Sequence, residues 1–149
     1  MNPFLLSRSQ RTAEWKNLRA EIAAQPSVDA KIDLCLAFWR QAGFENRVLD
    51  WDNCSTWPNP WELIYNNRYC TSSHSLGIAY TLMLADPTTF EDLQLRLIND
   101  RDHSIEKIVC ATHGYLLNHG FVDRVNRNSL KAIYTQARWH WIDKKWQQV

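Results

Sequence analysis

A chain of 149 residues has the length of one domain and is long enough to enclose a real core. Its 45% hydrophobic and 22% charged content excludes a disordered chain, and 17 Lys and Arg against 16 Asp and Glu exclude a global field that would steer it to nucleic acid or membrane. Eight Trp residues are many for this length; such rings either anchor a core or line a groove.

In chain order, Trp15, Leu18 and Ile22 recur at three- and four-residue steps and predict a helix from Ser9 to about Ala24. Pro26 and Ser27 break it, and Ser27 caps a second helix from Val28 to about Gln41. Val28, Ile32, Cys35, Leu36 and Trp39 mark its buried face, with Gly43 as its stop. Residues 44 to 60 read as an ordered connection. Asp50, Asp52, Asn53, Pro58, Asn59 and Pro60 oppose regular structure, yet Trp51, Trp57 and Trp61 are costly to leave in water. Pro60 suits the first turn of a short helix over Trp61 to Tyr65, capped by Asn59. A central helix follows from Cys70 to Leu84, apolar round much of its circumference and ended by Asp86 and Pro87.

The period then changes from helical to two. Leu93 to Leu97 reads as a strand, Asp100 to Asp102 as a turn, and His103 to Ala111 as a second strand. Thr112 to Gly114 makes a tight turn, and Tyr115 to Asn118 is a third strand. A helix is expected from Ser129 to Gln136. The tail reads as a strand at Trp139 to Ile142, a turn at Asp143 to Lys145, and a short strand at Trp146. This pattern predicts a single α+β domain over 1–149: a helical part at 1–56, a candidate catalytic core at 57–122, and a C-terminal helix and hairpin at 123–149. The N-terminal helices and the central Cys-bearing helix are expected to pack on an antiparallel sheet of three to five strands.

The four cysteines are Cys35, Cys54, Cys70 and Cys110. Met1 to Leu6 shows no secretory leader and no apolar run reaches membrane-spanning length, so free thiols in a cytoplasm are expected, with no membrane partner. Cys35 and Cys110 lie in apolar runs and read as inert core residues. Cys70 differs because it opens a helix, whose free N–H groups and dipole favour a thiolate. His103 opens one strand and Asn118 ends the next, and a hairpin turning at His113–Gly114 is expected to bring those ends together. A thiol nucleophile, an imidazole base and a carboxamide that orients the base point to a cysteine-dependent amide hydrolase or acyl transferase. The Cys70 N–H is the expected first oxyanion donor, with Asn66, Asn67 or Trp61 as the second. Trp57 and Trp61, on a segment stiffened by Pro58 and Pro60, are expected to wall the cleft. Trp57, Trp61, Asn66 and Asn67 are thus the candidate substrate-binding residues. His74, four residues after Cys70 on one helix face, is a second candidate base. No cofactor is needed for this chemistry, and Cys110-x-x-His113 without a second knuckle does not predict a metal site.

The order Cys70, His103, Asn118 resembles the transglutaminase-like branch of the papain-like superfamily, whose core has a helix starting at the nucleophilic Cys and then strands carrying His and Asp or Asn. The resemblance covers about Trp57 to Val122 and implies Cys70 as nucleophile, His103 as base, Asn118 as third member and a protein or peptide substrate. Tyr69 and Thr71 beside Cys70, and Ile105 two residues after His103, depart from the family pattern. The segment Trp57-Pro58-Asn59-Pro60-Trp61-Glu62 is similar to small uncharacterised proteins of tailed bacteriophages, which implies a phage source and a bacterial host cytoplasm. The alternative is a non-catalytic phage protein that binds a host protein or nucleic acid. Arg124, Arg127, Lys131, Arg138, Lys144 and Lys145, set among Trp139, Trp141 and Trp146, would form its surface. The balanced net charge counts against nucleic acid, and the oligomeric state is not legible in the sequence.

Overall fold

The computed structural model describes every residue except Arg47 and Val48. Four helices come first: α1 (Arg8–Ala23), α2 (Val28–Trp39), α3 (Pro60–Asn66) and α4 (Thr71–Ala85). Six strands follow: β1 (Gln94–Asp100), β2 (Ile105–Thr112), β3 (Tyr115–Leu117), β4 (Arg124–Asn126), β5 (Ile133–Ile142) and β6 (Lys145–Gln148). The helix starts are written locally. Ser7 and Gln10 form a capping box on α1, the Ser27 side chain accepts from the Ala30 N–H, and Asn59 and Glu62 cap α3 with Pro60 in its first turn. Asn67, in the left-handed region at φ 53°, ends α3. Gly43 does not stop α2, which ends at Trp39 with Arg40 still right-handed. The part of the 44–60 connection at Arg47 and Val48 lies outside the described residues.

The strands form one antiparallel sheet in the order β4-β3-β2-β1-β5-β6. The fold class is the expected α+β, with six strands rather than three to five. The difference comes from the C-terminal segment. No helix forms over 129–136; instead Ile133, Tyr134 and Thr135 pair with Asp100, Asn99 and Ile98 of β1. An open edge of the central strand recruits these β-branched and aromatic residues, and that pairing outweighs local propensity. A single 3-10 turn, Arg127–Ser129, is what remains of the expected helix.

The helices cover one face of the sheet. Leu95, Leu97, Ile108, Cys110, Leu117 and Trp139 point into that layer, and Ile98, Val109, Ala111, Leu116 and Leu130 form a smaller cluster on the other face. Three buried polar groups hold the layer together. Thr81 Oγ1 accepts the indole N–H of Trp15 and that of Trp39, both at 2.9 Å, and donates to the Gly77 carbonyl at 2.6 Å. Gly77 is required because an added Cβ would stand 2.4 Å from the Trp39 ring. The buried Arg11 guanidinium donates to the carbonyls of Ile64, Tyr65 and Leu6, and Lys31 Nζ donates to those of Ile22 and Ala23. Each cation thus closes the C-terminus of a helix, where free carbonyls and the dipole favour it. No helix among the described residues is long and apolar enough to cross a membrane.

Thr81→Val keeps the shape of the side chain but leaves two buried indole N–H groups without an acceptor. It is expected to destabilise the fold by on the order of 4 kcal/mol, with Thr81→Ser close to wild type; chemical denaturation measures both.

Candidate active site

Cys70 is the N-cap of α4, the helix at the centre of the fold. Its side chain makes no capping bond, its residue is 1% exposed, and its Sγ lies 3.1 Å from Ser73 Oγ. The start of α4 is fastened from the sheet side. Asn118 sits in the left-handed region at φ 71°, a conformation that Asn tolerates, at the point where the chain leaves β3. Its Nδ2 donates to the Thr71 carbonyl and to Ser75 Oγ, both at 2.9 Å, and its Oδ1 accepts the Val122 N–H at 2.9 Å. Ser75 in turn donates to the Ile108 carbonyl at 2.7 Å. Asn118 is therefore a clamp between β3 and the first turn of α4.

His103 has a different partner from the one expected. It lies in the turn between β1 and β2, its side chain 53% exposed, and its Nδ1 donates to Asp100 Oδ2 at 2.8 Å. The same oxygen accepts from His119 Nε2 at 2.7 Å, and Asp100 Oδ1 accepts the Asp102 N–H at 3.1 Å. The β2–β3 hairpin does not bring His103 to Asn118. Its register pairs Leu117 with Cys110, so Asn118 falls beyond the ladder opposite Val109, while His103 precedes the start of β2. Asp100, a buried carboxylate that reads in the sequence as a turn residue, orients His103 instead. Cys70 and His103 share no hydrogen bond among the described residues.

His74 is also buried. Its Nε2 donates to the Gly43 carbonyl at 3.2 Å, and its ring stacks between Phe44 and Tyr69 with an edge contact to Phe121. Burial pushes its imidazole below the usual pKa; the Gly43 carbonyl opposes this and the Lys107 charge adds to it. Lys107 Nζ donates to the Gly120 carbonyl at 2.7 Å and to that of His119 at 3.4 Å. Burial pushes this ammonium down to about 8, against the pull of Asp123.

The residues expected to bind substrate do not form one wall. Trp57 is a core ring, 7% exposed, packed on Trp139 and Trp146 with its Nε1–H on the Asp50 carbonyl. It does line a cleft of about 320 Å³, together with Cys54, Glu62, Tyr80, Trp141 and Lys145, but Cys70 is not part of that cleft. Trp61 is exposed, edge-on to Trp15 and near the Arg19 guanidinium. Asn66 is exposed at the end of α3, and Asn67 Nδ2 donates to the Phe4 carbonyl. In the C-terminal part, Trp139 and Trp146 are buried and Arg124 is paired with Asp33 and Asp29, so these rings and this cation are already engaged within the chain.

No family model matches the sequence, and no curated protein matches it. Solved structures do. Calcium-bound LapG of Legionella pneumophila superposes with a TM-score of 0.70 and 15% identity, over 95% of this chain and 82% of that one. The fold is that of LapG. Two further LapG structures, one of them EGTA-treated, give TM-scores of 0.65 with 13% and 14% identity over 90% of this chain and 82% of LapG. A phage origin finds no support in these matches. The likeness to LapG is one of architecture.

Asn118→Asp removes both Nδ2 donors and sets a carboxylate against the Thr71 carbonyl. It is expected to destabilise the protein by about 2 kcal/mol at neutral pH, read by urea denaturation. Lys107 gives a second test. Its folded pKa lies below the unfolded one, so the unfolded state binds more protons and stability rises with pH between about 8 and about 10. Denaturation at about pH 7.5 and about pH 9.5 should show wild type gaining stability relative to Lys107→Met over that interval.

Proposed function

We propose that this protein is a cysteine peptidase or acyl transferase of the transglutaminase-like type, with Cys70 as nucleophile. The observation that carries the reading is the place of Cys70: a thiol at the N-cap of the central helix, on a fold shared with LapG, a cysteine protease of the transglutaminase-like superfamily. His103 is the base in this reading. Its Nδ1–H is held by Asp100, which leaves Nε2 to take a proton, the arrangement that an imidazole base requires. His103 Nε2 removes the thiol proton, Sγ attacks the substrate carbonyl, and the oxyanion forms beside the free N–H groups of the first turn of α4. The imidazolium then protonates the leaving amine, and water or an acceptor amine releases the acyl group. Asn118 serves as a positioning residue that fixes the helix start. Asn118 touches α4 and His119 touches the Asp100–His103 pair, so this short stretch ties the helix of the nucleophile to the base.

The burial of Cys70, and the lack of an imidazole on its sulfur among the described residues, favour a second reading: a non-catalytic module that uses the LapG-like fold to bind a protein. Alkylation with iodoacetamide at neutral pH, followed by peptide mass spectrometry, separates the two. The peptidase reading expects Cys70 to react faster than Cys35 and Cys110, whose thiols burial pushes up, and expects His103→Ala to slow that reaction. Equal rates at the three thiols, unchanged in His103→Ala, would overturn the peptidase reading and leave the non-catalytic one.

A further inference from the structure

Asp100, His103 and His119 meet at the end of the sheet where β1 turns into β2. They come from distant parts of the chain: Asp100 ends β1, His103 lies in the turn after it, and His119 follows β3. One carboxylate oxygen and two imidazole nitrogens, three ligand atoms in all, lie within 4.8 Å of one another. The two short distances, 2.8 Å from His103 Nδ1 and 2.7 Å from His119 Nε2, both end on Asp100 Oδ2. Two N–H protons therefore converge on a single oxygen that is 1% exposed. The cluster is also held in place from behind. The Asp102 N–H fixes the carboxylate through Oδ1, the left-handed Ser104 at φ 54° sets the turn that carries His103, and Lys107 holds the carbonyls of His119 and Gly120. The carboxylate is thus oriented through its second oxygen, as an outer-shell partner orients a metal ligand.

We propose that Asp100, His103 and His119 bind a divalent transition metal of the zinc class. Two imidazoles and one carboxylate suit Zn²⁺ and Co²⁺, whereas Ca²⁺ and Mg²⁺ take sets made of oxygen alone. A tetrahedral ion with bonds of about 2.0–2.1 Å separates its ligand atoms by about 3.3 Å. The nitrogens must therefore draw back from Oδ2 by roughly half an ångström, a shift open to His103 on its exposed turn. In the neutral imidazoles each proton passes to the other ring nitrogen, and the metal takes the place of the two protons now shared with Oδ2. Three protein ligands, one of them half in solvent, leave the fourth position for water. Such an ion staples the β1–β2 turn to the segment that carries Asn118 and Phe121 over the start of α4. With the metal on Nδ1, His103 carries its proton on Nε2, so the metal-bound form is not the one in which His103 serves as base, and the site does not rest on that reading.

Chelator-treated protein titrated with Co²⁺ tests this directly. The expected result is one equivalent bound, the visible d–d absorption of a low-coordinate N/O site, displacement by Zn²⁺ and a higher unfolding temperature with Zn²⁺ present. His103→Ala, which changes an exposed side chain, should keep the fold and lose more than the roughly 10–100-fold in affinity that an outer-shell partner costs. His119→Gln should do the same, and His113→Ala should leave binding unchanged. No absorption at stoichiometric Co²⁺, or a spectrum and affinity that survive in His103→Ala, would overturn the proposal.

Discussion

The Thr81 hydroxyl accepts the indole N–H groups of Trp15 on α1 and Trp39 on α2, and donates to the Gly77 carbonyl one turn back on α4. One buried oxygen thus uses its donor and two acceptor positions to join three helices. A polar group with no exposure is costly unless every partner is present, so the arrangement fixes both the rotation of α4 and its height relative to α1 and α2. The position of Cys70 depends on this, because the thiol is carried at the start of the helix so fixed. Ser75 and Asn118 then tie the same helix to β2 and β3.

The other end of α4 is held by aromatic rings. Tyr80 donates its hydroxyl to the Pro58 carbonyl at 2.6 Å and accepts the Trp146 indole N–H at 2.9 Å. Trp141 meets the Tyr80 ring edge to face and Trp146 lies tilted against it, while Trp57 packs edge to face on Trp139 and Trp141 on Trp146. This accounts for four of the eight Trp residues: their rings bury area between the connection before α3, helix α4 and strands β5 and β6, and the N–H groups of Trp57 and Trp146 are matched to the Asp50 carbonyl and the Tyr80 hydroxyl. The cleft beside them has Cys54 in its wall, at the opposite end of α4 from Cys70.

Charge is handled differently at the sheet end. Burial alone would push the Asp100 carboxyl up, but hydrogen bonds and charge from His119 and His103 outweigh it and hold the group below the usual carboxylate range. The carboxylate thus accepts from both imidazoles on Oδ2.

The sequence by itself determined what depends on neighbours along the chain. The caps at Ser27 and Asn59, Cys70 at the start of α4, the turn at His113–Gly114 and the final β5–β6 turn all follow from residue type and spacing within a few positions. The tertiary structure alone decided the rest. Residues 133–136 became strand because β1 offered an unpaired edge, which no local window contains. The partner of His103 was set by hairpin register, since a β2–β3 ladder that ends at Leu117 stops short of the β1–β2 turn. Asp100, His103 and His119 carry no recognisable spacing; they converge because β1 and the exit of β3 lie on either side of β2. Contacts made across strands and layers are encoded by the whole packed arrangement, and a periodicity read along one segment does not contain them.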